Sequence, residues 1–246
     1  MSGEPDWSAT WLAPYREQGQ VLRERWRNGA SVAEALTAAL AAAPIVLPAG
    51  PLRFVPQQAL PEGEGYEAFV ARTACVPTRD NWHDFFNGMV WLRHPALKAR
   101  LNAWHREGLG QAAEGRRGAL RDALTLLDEN GALLVAPPAL RQALVERDWQ
   151  RLFVELRPLW RETRLEIVGH ALLEKLLQPR KPICAHVLLV ESIAGAAQAL
   201  DAEQLAAKPF HPLPLLGVPQ WWPANEAPGF YDDVAVFRPR RLAQTG

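Results

Sequence analysis

Proline placement constrains this chain more than any other feature. Twenty-one prolines are spread over 246 residues, and a proline inside a helix removes a backbone donor and crowds the preceding turn. The chain is thereby held to short helices and extended segments. The effect is sharpest between Glu34 and Arg53, where ALTAALAAAPIVLPAGPL is the longest uncharged run. A bilayer-spanning helix needs about 20 continuous apolar residues. Pro44, Pro48, Gly50 and Pro51 break the second half of the run. It therefore predicts a short buried helix followed by extended chain, and no membrane span.

Composition narrows the class further. Hydrophobic residues are 48% and charged residues 22%, which excludes wholesale disorder. Lys+Arg and Asp+Glu are both 27, and a neutral chain argues against general nucleic-acid binding. Residues 91–121 hold a local basic excess (Arg93, Lys98, Arg100, Arg106, Arg116, Arg117 and Arg121 against Glu107 and Glu114). It is read as a solvated face. Cys75 and Cys184 are the only cysteines, and MSGEPDWSAT has no basic-then-apolar signal pattern. The expected compartment is the reducing cytoplasm.

Hydrophobic periodicity gives the element plan. Pro14 to Arg27 reads as a helix with Tyr15, Leu22 and Trp26 near one face, stopped by Asn28-Gly29. Ser31 and Glu34 form a capping-box start for a helix carrying Val32, Leu36 and Leu40. Residues 45–63 predict extended chain with a short strand at Leu52–Val55, and Glu64 to Thr73 a short helix. VPTRDNW reads as a loop. After it comes a strong helix, Asn81 to Arg93, with a core arc of Trp82, Phe85, Phe86, Met89 and Val90 beside a polar stripe of His83, Asp84, Asn87 and Trp91. Pro95 opens the next helix, which runs to His105 with a polar line of Lys98, Asn102 and His105.

Residues 106–121 read as a surface linker or a mobile loop. LTLLDENGALLVA reads as two strands around an Asn130-Gly131 hairpin turn, closed by Pro137-Pro138. Then come a helix from Ala139 to Trp149, a strand at Leu165–Val168 and a helix from Gly169 to Gln178. Residues 183–200 read as helix, with a buried strand at CAHVLLV as the alternative. Asp201 and Gln204 open another short helix. The Pro- and aromatic-rich C-terminal segment shows no period and is expected to pack as an ordered strap. The fold class is α+β: a single mixed domain over residues 1–246, mainly helical with a small β-sheet or hairpin. Residues 1–44 hold the N-terminal helices and 45–246 the body.

Several blocks carry a resemblance. VPTRDNWHDFFNGMVWLRHPALKARLN, LLDENGALLV, GHALLEKLLQP, PLPLLGVPQWWPAN and FYDDVAVFRP together resemble a bacterial family known as domain-of-unknown-function family 3025. The resemblance runs from about Phe54 to Arg240, and HDFFN and GHALLE are its most specific parts. It implies a proteobacterial type of protein with no assigned reaction.

The candidate chemistry gathers on two helices. His83, Asp84 and Asn87 lie on one, with His105 on the next. His170 and Glu174 lie four apart and share one face of another helix. Imidazole and carboxylate at that spacing can hold one divalent metal ion, with His83, Asp84, His170 and Glu174 as its ligands. Arg79, Trp91 and His105 are candidate contacts for a small-molecule or anionic ligand. Asp128 and Glu129 sit at the expected hairpin turn. Cys75 lies in an apolar setting and reads as packing, and ESIAG around Ser192 lacks the GxSxG elbow. HExxH, paired CxxC and a Walker loop are absent. Two readings stand at this point. One is an enzyme with a hydrolase-like, metal-assisted site on the HDFFN and GHALLE helices. The other is a non-catalytic interaction or scaffold protein whose His and carboxylate groups form structural networks.

Overall fold

Among the described residues the longest helices have 15 residues, and Pro95 and Pro138 each stand at a helix start. The structure is a computed structural model, and it describes residues 3–109 and 116–240. A 3-10 turn, Thr10–Tyr15, leads into α1 (Arg16–Arg27), and Gly29 at φ +99° turns the chain after it. The capping box is formed, with Ser31 Oγ accepting from the Glu34 N–H and the Glu34 carboxylate accepting from the Ser31 N–H, and it starts α2 (Val32–Leu40). A short hairpin of β1 (Val46–Leu47) and β2 (Gly50–Pro51) precedes β3 (Arg53–Pro56). After α3 (Tyr66–Thr73), β4 (Cys75–Thr78) pairs in parallel with β3. The first part of VPTRDNW is therefore strand rather than loop. All four residues of β4, Cys75 among them, are buried, which a solvated loop would not be.

The predicted core arc packs α4 (Trp82–Arg93): Phe85, Phe86, Met89 and Val90 are fully buried. Gly88 lets α2 approach, since a Cβ there would lie 2.2 Å from a Leu36 methyl. After α5 (Pro95–Leu109), residues 110–115, the centre of the expected linker, lie outside the described residues.

The predicted hairpin at Asn130-Gly131 is not formed. α6 (Arg116–Asn130) runs directly into β5 (Gly131–Val135). Ala123, Leu124 and Leu127 are buried at helical spacing, and that periodicity outweighs the turn propensity of Asn-Gly. Gly131 has no left-handed φ. Its need for glycine is steric, because a Cβ would sit 2.3 Å from the Leu127 carbonyl oxygen.

Beyond β5 come α7 (Pro138–Glu146), a π-helical turn (Arg151–Glu155), a 3-10 turn (Arg157–Glu162), β6 (Arg164–Ile167) and α8 (His170–Lys175). Then β7 (Cys184–Leu189) is followed by α9 (Ala196–Ala199), α10 (Ala202–Ala206) and β8 (His211–Pro214). The helical reading of 183–200 thus gives way to its strand alternative over Cys184–Leu189. That run pairs on both edges, in parallel with β5 and antiparallel with β8. The sheet order is β6-β5-β7-β8, with β6 antiparallel to β5. The C-terminal strap contributes β8, where Pro212 and Pro214 are tolerated because the strand is at the edge. It continues in short 3-10 turns that bury Trp221, Asn225 and Phe237. One hydrophobic cluster runs from Trp11 to Phe237, so the fold is mixed α+β and mainly helical. Among the described residues no helix is long and apolar enough to cross a membrane.

Candidate functional site

Two glycines bring the site together. Val168 and Gly169 both donate their N–H to the Gly131 carbonyl, at 3.0 and 2.9 Å. A Cβ on Gly169 would meet Gly131 N, Asn130 N and Glu129 O at 2.5–2.6 Å. This backbone contact sets the start of α8 against the end of α6. His170 thereby faces Asp128 and Glu129. α4 packs on α8 as well, and its first turn supplies His83.

The imidazoles meet edge to face, with ring centroids 4.5 Å apart. His83 Nε2 and His170 Nε2 are 3.0 Å apart, and Glu129 Oε2 is 3.6 Å from His170 Nε2. His83, Glu129 and His170 each offer a ligand atom, all within 4.8 Å of one another. The far nitrogens face carboxylates: His83 Nδ1 is 3.0 Å from Glu174 Oε2, and His170 Nδ1 is 3.7 Å from Asp128 Oδ2. His170 is deeply buried, whereas the His83, Glu129 and Glu174 side chains keep about a third of their surface in solvent. The cluster is therefore reached from one side.

A buried chain of hydrogen bonds lies behind it. Lys98 Nζ donates to Asp128 and, at 2.8 Å, to Asn87 Oδ1, and Asn87 Nδ2 donates to the Tyr66 hydroxyl at 3.0 Å. Burial pushes the Tyr66 hydroxyl far up. Burial works against ionised Asp128, but Lys98 and His170 outweigh it and hold that carboxyl below its ordinary value. Burial pushes Glu129 up, with the Asp128 charge adding to it against His83. His170 is lowered to about 3 by burial, with the Lys98 charge assisting against Asp128. It is thus a neutral imidazole, the form that binds metal.

Of the predicted residues, His83, His170 and Glu174 come together. Asp84 does not join them. It is buried, accepts from the Arg79 N–H at 2.6 Å and from Arg79 Nε at 3.1 Å, and so ties the PTRDN loop to α4. That contact also engages the guanidinium of Arg79. Asn87 reaches the cluster only through Lys98 and Asp128. Trp91 is 1% exposed and belongs to the core, with the Lys98 ammonium 5.6 Å from its ring. His105 is lowered by burial and hydrogen-bonds none of these groups. Glu129 was absent from the predicted ligand set because a turn was expected there. The helical spacing of Leu120, Leu124 and Leu127 is the signal that places it on the last turn of α6.

Residues 52–241 match the family described as "Protein of unknown function (DUF3025)". No curated protein matches the chain, and no solved structure matches it.

Proposed function

The chain belongs to that family of unknown function, and we propose that it is an enzyme with a metal-assisted hydrolytic site. His83 Nε2, His170 Nε2 and Glu129 hold one divalent cation. Glu174 orients the His83 imidazole from behind, through its Nδ1 atom, and the Asp128 carboxylate stands 3.7 Å from His170 Nδ1. The observation that carries this reading is the convergence of two Nε2 atoms at 3.0 Å while both Nδ1 atoms face carboxylates. With an N–H on each Nδ1, the two Nε2 lone pairs oppose one another, and a cation between them removes the conflict. The alternative is a proton between the Nε2 atoms. In both cases His170 Nδ1 is buried 3.7 Å from Asp128 Oδ2, without a hydrogen bond, so the metal reading rests on the paired Nε2 atoms with Glu129 beside them.

Two nitrogens and one carboxylate oxygen form a donor set suited to Zn²⁺ and its neighbours, with coordination left open on the exposed side. A cation held this way lowers the pKa of bound water toward neutrality and polarises an acyl or phosphoryl oxygen. Asp128, Glu129 and Glu174 against the Lys98 and Lys175 ammonium groups leave the pocket with a negative balance, which suits a divalent ion. Lys98 and Asn87 position Asp128 and take no part in the chemistry. We place the enzyme in the cytoplasm, a reading supported by two cysteines that are both unpaired.

The test is hydrolysis of 4-nitrophenyl acetate and bis(4-nitrophenyl) phosphate by chelator-stripped protein reloaded with Zn²⁺. Turnover of at least one substrate is expected with one equivalent of metal, and its loss in His83→Ala and Glu129→Gln. Absence of turnover, or turnover indifferent to metal and to both variants, contradicts the reading.

A further inference from the structure

A second feature of the molecule has no place in that chemistry. A cleft of about 1040 Å³ opens at the far end of α4, between the first 3-10 turn, β6, the turns around residues 154–164 and the segment 218–221. His83 and His94 mark the two ends of α4, separated by roughly 16 Å at 1.5 Å per residue. The cleft is therefore distinct from the histidine pair.

Its charge is one-sided. Arg93, Arg157, Arg161 and Arg164 line it, against Glu166 and Glu226. Arg93 is paired with Glu166, and Arg157 with Glu226 and Asn225. Arg161 and Arg164 are exposed and make no side-chain hydrogen bond or ion pair among the described residues. Two guanidiniums are thus left over inside a concavity, and guanidinium recognises carboxylate and phosphate through paired donors. The remaining wall is apolar: Leu165, Ile193 and Trp221 line it, and Val154, 43% exposed, is one of few large aliphatic side chains left in solvent.

Backbone irregularities point to the same place independently. The π-helical turn Arg151–Glu155 carries Val154 into the wall and leads into Arg157. Such turns occur often at functional sites. Gln220, also in the wall, has φ +70°, a left-handed conformation that non-glycine residues rarely adopt. Its carbonyl is held by the Thr10 hydroxyl at 3.2 Å. Strain of this kind persists where the surroundings enforce it and clusters at ligand sites.

We infer that this cleft binds an organic anion, a phosphate or carboxylate head joined to an aromatic or aliphatic body. The head sits on Arg161 and Arg164, and the body lies against Val154, Ile193 and Trp221. The volume suits a small molecule.

The probe is phenylphosphonate, whose C–P bond resists hydrolysis, titrated calorimetrically into the full chain. Saturable binding of one equivalent is expected, with inorganic phosphate and phenol each at least ten-fold weaker. Arg161→Ala combined with Arg164→Ala is expected to weaken binding ten-fold or more with an unchanged melting temperature, because both side chains are exposed and unpaired. His83→Ala is expected to bind phenylphosphonate as the parent does, which separates this site from the proposed metal centre. No binding at millimolar probe, equal binding of inorganic phosphate, undiminished binding by the arginine double variant, or loss in His83→Ala would each overturn the assignment.

Discussion

Gly169 is the residue on which the candidate site depends. Three backbone atoms of residues 129–131 stand within 2.6 Å of where its Cβ would be, and backbone cannot yield as a side-chain tip can. Gly169→Ala is expected to cost about 1–3 kcal/mol, read as a lower midpoint in urea, and to separate His170 from Glu129. An unchanged midpoint would count against the close approach. Glu166 gives a pH signature on a different part of the fold. Burial alone would raise its carboxyl, but His94 and Arg93 lie against it and bring it to about 2, from an ordinary value of 4.5. A folded value below the unfolded one means stabilisation that is fully present above the unfolded value and lost as pH falls through the folded one. The stability advantage of the parent over Glu166→Gln should therefore hold at neutral pH and shrink between about pH 4.5 and pH 2. A difference independent of pH would remove the ion pair from the account.

Among the elements, those with local signals were legible and those made by pairing were not. Ser31 and Glu34 announced α2, and Ser31→Ala should lower stability by about 1 kcal/mol, measurable by thermal melting; no change would mean that the cap contributes nothing. The aromatic arc announced α4, and its position beside the polar stripe announced that His83 lies at a core margin. What failed was local reading at Asp128-Glu129-Asn130-Gly131, where turn-forming residues end a helix and begin the central strand. The error hid Glu129, since a hairpin tip and a helix end point their carboxylates to different neighbours. β7 reads ambiguously for a related reason: CAHVLLV is almost wholly apolar, so its sequence shows no period of two, although in the sheet Ala185 and Val187 are buried while Cys184 and His186 are only partly so. The meeting of α4 with α8 was legible only as two polar stripes at core margins. The stability cycle of His83→Ala and His170→Ala tests that contact directly. Their 3.0 Å approach predicts a coupling of about 0.5 kcal/mol or more, and strict additivity would deny it.

Across the whole molecule, one hydrophobic core supports two polar openings at opposite ends of α4. One carries three carboxylates around two imidazoles, and the other surplus arginines above an apolar wall. A neutral net charge conceals this separation, which is why composition alone gave no hint of either. The proposed metal centre rests on the contact of α4 and α6 with α8 rather than on a loop. In the proposed function His83, His170 and Glu129 form a divalent-metal centre. It is tested most directly by equilibrium titration of Zn²⁺ into chelator-stripped parent protein and into His170→Ala. The account predicts one tight equivalent in the parent and none in the variant, with Glu174→Gln weaker by roughly 10- to 100-fold. A parent that takes up no zinc, or a His170→Ala protein that binds it as tightly as the parent, would contradict it.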